Sequence, residues 1–249
     1  MEILGIDIGG SGIKAAIVDI VSGEFISERV RIPTPKPAKP NSVSRVIKQI
    51  VDIFKWEGPI GISFPTVIVH GKAMQYGNLD KTWKGTQIDT LFEKHTNNKY
   101  FVVNDADAAA MAVMNYGIGK GKKGLVIVVT IGTGIGSGVF YNGELLQNFE
   151  LGRIYGKKGD IMESFASDAA RQIKDYSYKA WAKRFNFFLK HVEDTMHPEI
   201  FIIGGGISKK MHRFEKYLDV ETPVIAAELK NDAGIIGAAY FAFINLKPE

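Results

Sequence analysis

Two glycine-rich stretches are the first candidates for chemistry in this sequence. IDIGGSGIK occupies residues 6–14, and TIGTGIGSG repeats its pattern at residues 130–138. Glycine lets consecutive backbone N–H groups converge on an anion, and Ser and Thr add hydroxyl donors. One such stretch alone is more often a tight turn without a ligand, but two that echo each other favour phosphate binding. The candidate phosphate-binding residues are Gly9, Gly10, Ser11, Gly12, Lys14, Thr133 and Gly134.

Asp7 lies inside an apolar run directly before the first stretch. A carboxylate in such a place is costly unless it is paired or bound to a cation. A hydrogen bond to the next turn would also satisfy it. Beside a glycine turn, Asp7 is better explained as an outer ligand of a metal–phosphate complex.

The segment Asn104-Asp105-Ala106-Asp107 stands where an apolar strand changes into a helical pattern. Asn and Asp are preferred at helix N-termini, but capping accounts for one such residue and not for three. Ligands of α/β proteins gather at the carboxyl ends of strands, where a carboxylate can act as a general base toward a hydroxyl group. Asp105 is therefore predicted to be functional.

Two further features allow two interpretations each. GGG at 204–206 follows a predicted strand and opens a predicted helix, but its spacing is wrong for a dinucleotide-binding turn. Close packing of a helix on a strand therefore competes with a ligand site. The basic loop GKGKK at 119–123 is either a solvated surface or an anion-binding loop. Two lysines also follow the GGG turn. Both clusters are candidates for a track that binds a polyanion; their lysines are Lys120, Lys122, Lys123, Lys209 and Lys210.

The elements that must position these residues alternate between strands and helices. Each glycine stretch stands between two apolar runs, which predicts one β-hairpin at residues 3–20 and another at 124–144. Further strands are predicted at 58–65 and 100–103. Two similar halves of this kind indicate an α/β protein whose two domains face each other across a cleft.

Apolar periodicity and cap residues predict three helices. The first is capped by the Asn or Ser at 41–42, the second follows the strand at 100–103, and the third begins near 231–232. The four prolines of RIPTPKPAKP, residues 31–40, predict a stiff surface connection before the first helix. The third helix is expected to bury Ile235, Ile236, Tyr240 and Phe243.

The composition excludes several classes of protein. The sequence has no cysteine, which excludes disulfides, zinc fingers and thiol catalysis. No apolar run approaches the length of a membrane span and no signal-peptide pattern is evident, so a cytoplasmic location is expected. The net charge of +4 is compatible with an anionic ligand.

Together these motifs resemble the ROK family of repressors and sugar kinases, within the superfamily that also contains actin and heat-shock chaperones. The resemblance covers the whole chain in order. It rests on DIGGSGIK, the FP turn at 64–65, NLDKTW, NDADAA, TIGTGIGSG, ELG and IIGGGISK. Within the family, RIPTPKP, GNLDKTWKGT and NDAGIIGAA are most similar to the polyphosphate glucokinases.

The resemblance implies an activity and a role for each matching residue. It implies phosphoryl transfer from inorganic polyphosphate, with ATP as a further donor, to the 6-hydroxyl of glucose, with Mg²⁺ as cofactor. Asp105 matches the catalytic base, and Asp7 matches the surroundings of the donor phosphate and of Mg²⁺, which it holds through water. Gly205 and Gly206 match the turn that receives adenosine in relatives that use ATP. The residues matched to the sugar site are Asn78, Asn104, Asp105, Glu150, Arg153 and Glu163.

One departure from the family pattern bears on the substrate. Arg153 stands where the family has His, so a ring that can donate or accept a hydrogen bond is replaced by a fixed cation with donors only. Three alternatives stay open: an ATP-dependent hexokinase for another sugar such as mannose, a sugar-sensing or nucleotide-binding regulator without turnover, and, because of Arg153, a kinase-like protein that only binds sugar. Because the first strand is predicted to begin at Ile3, an N-terminal DNA-binding region is not expected, which disfavours the regulator.

The expected fold class is thus α/β, with two ribonuclease-H-like domains of the actin-like ATPase type that flank a cleft. Residues 1–104 plus 232–249 are expected to form the N-terminal domain, and residues 105–231 the C-terminal domain. The expected partners are glucose and either polyphosphate or ATP. The chain is expected to form a homodimer and to bind neither nucleic acid nor a membrane.

Overall fold

The computed structural model describes residues 1–156, 159–228 and 232–246. The chain divides into two units, Met1–Ala112 with Asn231–Glu249, and Val113–Lys230. This division falls within the helix that follows the strand at 100–104, whereas the sequence puts the boundary at the start of that helix. The alternative start of the last helix at Asn231 lies outside the described residues.

The first unit is built on a five-stranded sheet and a separate two-stranded hairpin. The strands are β1 (Glu2–Ile8), β2 (Gly12–Asp19), β3 (Val30–Pro33), β4 (Ile60–Phe64), β5 (Ile68–Val69), β6 (Lys72–Ala73) and β7 (Tyr100–Asn104). The order in the sheet is β3-β2-β1-β4-β7. β1 pairs antiparallel with β2, and β2 with β3, while β4 and β7 run parallel to β1. The hairpin predicted around the first glycine stretch is confirmed.

In the first segment of this unit, the helices α1 (Pro40–Phe54), α2 (Ile88–Thr96) and α3 (Asp105–Tyr116) begin. The face of α1 that the apolar periodicity predicts packs into the core against the sheet. The predicted cap of α1 is wrong, because Lys39 precedes the helix without a side-chain cap. Pro40 takes the first helical position, where a residue without an N–H leaves no hydrogen bond unmade.

The second unit repeats the five-stranded sheet. Its strands are β8 (Leu125–Ile131), β9 (Ile135–Tyr141), β10 (Glu144–Leu146), β11 (Ile200–Gly204) and β12 (Val224–Ala226). The order in this sheet is β10-β9-β8-β11-β12. As in the first unit, three strands (β8, β9 and β10) form an antiparallel meander, and the other two run parallel to β8. Asn142 and Gly143 both have positive φ and make the two-residue turn between β9 and β10.

The helices of the second unit are α4 (Glu163–Ala166), α5 (Asp168–Ile173) and α6 (Tyr178–Met196). α6 covers one face of the sheet with an aromatic side that includes Trp181, Phe185 and Phe188. The helix expected after the third glycine turn is a six-residue 3₁₀ segment rather than an α-helix. The 3₁₀ segments of the described chain are Lys81–Trp83, Leu151–Arg153, Ser208–Arg213 and Glu215–Tyr217.

The last helix, α7 (Ala233–Asn245), packs closely against β1, β4 and β7. Glycines in the two inner strands permit this approach. A Cβ at Gly5 would collide with the carbonyl oxygen of Ile235, and a Cβ at Gly61 would collide with that of Ala238. Glycine within a strand is typical of such a close backbone approach.

The predicted buried face of α7 is only partly right. Ile235 is buried, but Phe243 is 39% exposed. The buried face consists largely of small residues, among them Gly237, Ala238 and Ala242. The buried aromatic residue of the helix is Phe241, not Phe243.

The repeated sheet order confirms the expected fold class, an α/β protein of two ribonuclease-H-like units. A helix able to cross a membrane is absent from the described part of the chain.

Candidate functional site

The first unit brings several predicted site residues to one edge of its sheet. β1, β4 and β7 are parallel, so their carboxyl ends lie at the same edge. Asp7 stands near the end of β1, and Asn104 and Asp105 stand at the end of β7. One strand separates the two positions, which corresponds to about 10 Å.

Asp7 is held by two side chains from neighbouring strands. The Ser63 hydroxyl donates a hydrogen bond to Oδ1 at 2.9 Å, and the Lys14 ammonium donates to Oδ2 at 3.2 Å. The carboxylate also lies against Gly234, where a Cβ would be 3.0 Å from Asp7 Cγ. The alternative of a hydrogen bond to the next turn is not needed, because these partners orient the carboxylate beside the glycine turn.

The first glycine turn leaves backbone donors available. Gly9 N donates to Gly12 O at 3.1 Å and closes the turn. Within residues 1–156, 159–228 and 232–246, the N–H groups of Gly10 and Ser11 have no protein acceptor. Gly10 and Ser11 are both exposed. Consecutive unused amides of this kind form an anion-binding concavity.

Asn104 and Asp105 have different local environments at the start of α3. Asn104 is buried, and its Oδ1 accepts from the N–H groups of Ala106 and Asp107 at 2.8 and 3.2 Å. Asn104 is therefore the capping residue, with its amide oxygen committed to the helix. Asp105 is exposed and contacts the Ala106 N–H at 2.9 Å through Oδ1. The carboxylate of Asp105 is thus exposed at the N-terminal end of α3, where the helix dipole is positive.

The loop that carries Asn78 is anchored by the NLDKTW motif. The Trp83 ring is fully buried, and its Nε1 donates to Ala38 O at 2.7 Å. Asp80 caps the short 3₁₀ segment by accepting from Thr82 N at 3.0 Å. Asn78 packs against Gly10: the Cβ of Asn78 lies 3.5 Å from the position that a Cβ on residue 10 would occupy. The candidate sugar-binding amide thus borders the candidate phosphate turn.

The second glycine turn, in the other unit, is also closed by a glycine N–H, but across one residue fewer. Gly132 N donates to Gly134 O at 3.1 Å, and Ala169 N at the start of α5 donates to Gly132 O at 3.1 Å. The N–H groups of Thr133 and Gly134 find no acceptor among the residues that the structure describes. Thr133 is exposed. Each unit therefore presents a turn with two consecutive backbone donors.

Glu163 lies on this second turn. Its Oε2 accepts a hydrogen bond from Ile135 N at 3.3 Å. A Cβ at Gly134 would stand only 2.4 Å from the same oxygen. The residue predicted as a sugar contact therefore also supports the phosphate turn, and glycine at position 134 leaves the space that the carboxylate needs.

Glu150 and Arg153 are brought together by a 3₁₀ turn, whose three-residue repeat puts positions i and i+3 on the same side. Ser137 fixes the segment, because its Oγ donates to Phe149 O and accepts from Leu151 N. Burial raises the pKa of Glu150 above its ordinary value of 4.5; the Arg153 charge opposes this and the Glu163 charge adds to it. The three predicted sugar-binding residues of this unit therefore interact electrostatically.

The third glycine turn lies beside the second one. Gly205 has a φ of +79°, and a Cβ there would meet Ile131 O. Because β11 runs parallel to β8, the turn at 205–206 and the turn at 132–134 lie at the same sheet edge. Close packing explains Gly205, whereas Gly206 has open space around its Cα and is exposed. Exposed Lys209 and Lys210 belong to the same edge.

The basic loop before β8 does not share that edge. Gly124 N donates to Asn142 Oδ1, and Asn142 N donates to Gly124 O, so the loop lies beside the β9–β10 turn. The length of β8, about 20 Å, separates it from the second glycine turn. Lys120, Lys122 and Lys123 precede the second glycine hairpin, as the sequence indicates, but the strand β8 separates them from its turn.

The residues near Asp7 fit a magnesium ion that is held mainly by a phosphate donor. Mg²⁺ is usually bound by one or two carboxylates together with substrate phosphates and water. Asp7 supplies one carboxylate beside the first glycine turn. Over the described ranges there is no group of three or more His, Cys, Asp and Glu side chains that would make an all-protein site.

Sequence reasoning missed several residues that shape the site. Ser63 orients Asp7, and Ser137 holds the Glu150 segment. Thr34, taken as part of a stiff connection, is buried and donates from Oγ1 to Gly9 O at 2.5 Å. A buried polar residue at the end of an apolar strand, as at Ser63, is a usable signal, but the contact of Thr34 depends on tertiary structure.

Comparison with known proteins agrees with this geometry. The fold is that of the actin-like ATPases and their sugar kinase relatives. The sequence model of the ROK family matches residues 3–152. Polyphosphate glucokinase from Mycobacterium tuberculosis is 42% identical over 236 residues, which cover 94% of this chain and 89% of that protein. The chain belongs to the ROK family.

Solved structures give the same result. The crystal structure of inorganic polyphosphate/ATP-glucomannokinase from Arthrobacter sp. strain KM has a TM-score of 0.89 at 40% identity, covering 98% of this chain and 99% of that one. A ROK family glucokinase from Streptomyces griseus, in complex with glucose and AMPPNP, has a TM-score of 0.79 at 22% identity, covering 98% and 100%. The second likeness is one of fold alone.

Proposed function

We propose that this chain is a Mg²⁺-dependent glucokinase that transfers a phosphoryl group from inorganic polyphosphate, with ATP as a second donor, to the 6-hydroxyl of glucose. The observation that carries the proposal is the 42% identity to a polyphosphate glucokinase across 94% of the chain. The exposed Asp105 carboxylate and the two turns with unused N–H groups support it.

Asp105 is the proposed general base. Its carboxylate accepts the proton of the 6-hydroxyl as the sugar oxygen bonds to the terminal phosphorus of the donor. The bond between that phosphorus and its bridging oxygen breaks, and the donor leaves as a chain shortened by one phosphate, or as ADP. Phosphoryl transfer needs mainly positioning and charge stabilisation from the protein, which suits one carboxylate and two amide-lined turns.

The remaining roles divide between sugar and donor. Mg²⁺, bound with the donor near Asp7, supplies charge neutralisation for the phosphate oxygens. Lys14 holds Asp7, and the backbone N–H groups of the glycine turns bind the phosphates. We assign donor binding to Asp7, Gly9, Gly10, Ser11, Gly12, Lys14, Thr133, Gly134, Gly205 and Gly206. We assign sugar binding to Asn78, Asn104, Asp105, Glu150, Arg153 and Glu163.

Mannose is a second candidate acceptor. The solved relative at 40% identity is a glucomannokinase, and Arg153 changes the hydrogen-bonding character of a predicted sugar contact. Both sugars carry the same 6-hydroxyl, so Asp105 would serve either reaction.

A panel of donors and acceptors tests the proposal. Purified protein is assayed with Mg²⁺ and each combination of polyphosphate or ATP with glucose or mannose, and the sugar 6-phosphate is quantified. Polyphosphate with glucose is expected to be the fastest pair. Turnover with ATP alone would show that the protein is an ordinary ROK hexokinase. Faster turnover of mannose than of glucose would show that mannose is the preferred sugar. No turnover with any pair would show that the protein only binds its ligands.

The proposal includes a homodimer, as the family resemblance implies, together with a cytoplasmic location and no binding of nucleic acid or of a membrane. Light scattering coupled to size-exclusion chromatography tests the dimer, with twice the 27.5 kDa chain mass as the expected result. A monomer at assay concentrations would remove this part and leave the catalytic proposal intact.

A further inference from the structure

The RIPTP segment, at residues 31–35, contacts the first glycine turn from the sheet edge. Thr34 donates from its hydroxyl to Gly9 O, and its N–H lies 3.5 Å from Ser11 O. Arg31 Nη2 donates to Ser11 O at 3.4 Å. Two residues of a segment that looks like a surface connection therefore touch the proposed donor site.

Gly12 makes room for the Arg31 side chain. A Cβ at residue 12 would lie 2.8 Å from Nε and 2.9 Å from both Cζ and Nη2 of Arg31. Gly12 is not among the residues with positive φ, so the backbone alone does not require glycine here. The glycine lets the guanidinium lie across the end of β2, beside the turn.

Arg31 also leaves the turn with an excess of positive charge. Strand register aligns Asp7 with Lys14 and Lys14 with Arg31, which puts the three side chains in a row on one face. Lys14 pairs with Asp7 at 3.2 Å. In the part of the chain that the structure describes, no carboxylate lies within 4.0 Å of the Arg31 guanidinium. The Arg31 guanidinium contacts the turn at Ser11 O and has no carboxylate partner among the described residues.

We propose that Arg31 is a donor-binding residue that hydrogen-bonds the phosphate oxygens held at the first glycine turn. The inference rests on the proposed function, because it deepens the donor site of that reaction. A guanidinium presents a planar fork of N–H donors that matches phosphate, which a lysine ammonium does not reproduce. The exposed side chain can reach a polyanion without losing its contact to Ser11 O.

Binding and kinetics of R31A and R31K test this assignment. Calorimetry measures the Kd of tripolyphosphate with Mg²⁺, and steady-state assays measure KM for polyphosphate and for glucose. R31A is expected to weaken tripolyphosphate and to raise the polyphosphate KM by about tenfold, with the glucose KM unchanged. R31K is expected to recover only part of the loss. R45A removes the same charge from an exposed position on α1 and is expected to match the wild type.

The outcomes separate Arg31 from the proposed function. Turnover of glucose by the wild type, together with equal Kd and KM values in wild type and R31A, would overturn the role of Arg31 alone. Absence of any donor-dependent turnover in the wild type would overturn the proposed function. Equal tripolyphosphate binding by wild type and R31A would overturn the Arg31 site in that case too. If R31A unfolds at a lower temperature than the wild type, the Kd and KM values of R31K replace those of R31A in this comparison. R31K keeps the charge and most of the length of the side chain.

Discussion

At the scale of single residues, the surroundings of Glu150 disfavour the charged form of its carboxyl group. Glu150 is half-buried, and burial raises its pKa above 4.5, while Arg153 three residues later opposes the shift. A ligand that replaces water around Glu150 with hydroxyl groups would satisfy the carboxylate. The fold therefore tolerates an unfavourable charge at a position where the proposed sugar would bind.

Replacing Glu150 by Gln should stabilise the fold in a pH-dependent way. Because the pKa of Glu150 is raised in the folded state, the charged form of Glu150 destabilises the fold. This destabilisation is absent below pH 4.5 and develops as the pH rises through the folded-state pKa. E150Q is therefore expected to melt at a higher temperature than the wild type near pH 8, with the gap closing toward pH 4.5. Thermal unfolding across this range measures the effect, with E144Q on β10 as an exposed control. A gap that does not change with pH would contradict the account.

Arg153 bears on sugar preference. Replacing it by His restores the family's residue beside Glu150 and exchanges a fixed cation for a ring that can accept a hydrogen bond. R153H is expected to change the ratio of kcat/KM for glucose and mannose by roughly three- to tenfold, the range of one altered hydrogen bond. Identical ratios in variant and wild type would place Arg153 outside the sugar site.

The residue types at the site were readable from the sequence, but several contacts were not. Asp7 beside a glycine turn and Asp105 at a strand–helix junction follow from local pattern. The packing of Arg31 over Gly12 and the contact of Glu163 with Ile135 join residues 19 and 28 positions apart, through strand register and a loop. The sequence predicts Gly12 as a turn glycine, but the space beside it is occupied by the Arg31 side chain from another strand.

At the scale of elements, the two glycine hairpins and the strand–helix junction were predicted because each carries a local signal. The small-residue face of α7 was not. Its apolar sequence is nearly uniform, so periodicity does not single out the buried face, and the glycines that decide it lie in β1 and β4. A mid-strand glycine was the available signal for close approach of a helix.

A methyl group at Gly61 should disrupt this packing. G61A puts a Cβ against the carbonyl of Ala238, and neither rigid backbone can move without shifting α7 or β4. We expect a loss of about 1–3 kcal/mol of unfolding free energy, the usual range for overpacking. Urea denaturation measures it. G206A is the control, because a Cβ at that position meets nothing within 4 Å. Equal stability of the two variants would show that α7 does not pack tightly against β4.

At the scale of the whole molecule, a net charge of +4 suits a polyanionic donor. Polyphosphate extends beyond any one phosphate site, so it can gain from exposed cations that ATP does not reach. Lys209 and Lys210 lie at the sheet edge of the second and third glycine turns, whereas the lysines at 120–123 lie at the opposite end of β8. We therefore expect the lysines at 209–210, and not those at 120–123, to contribute to donor binding.

Salt should therefore weaken polyphosphate more than ATP. Exposed charge contacts are screened within about 10 Å at 0.1 M ionic strength. We expect polyphosphate to support faster turnover than ATP at low salt, and its KM to rise more steeply between about 0.05 and 0.3 M salt. The double variant K209A/K210A should flatten that rise.

The triple variant K120A/K122A/K123A is the matched control for this effect, because it removes lysines from the far end of β8. It is expected to keep the salt dependence of the wild type. Equal slopes for the two donors, or an equal effect of both lysine variants, would contradict a local donor track.

The central claim is that Asp105 acts as general base in phosphoryl transfer from polyphosphate to glucose. The most direct measurement follows glucose 6-phosphate by ³¹P NMR, with polyphosphate as the sole donor, for wild type and D105N. The wild type is expected to form product. D105N is expected to form it roughly 100- to 10,000-fold more slowly, because the amide cannot accept the proton, while calorimetry shows glucose binding retained. Product formation by D105N at the wild-type rate, or none by the wild type, would contradict the account.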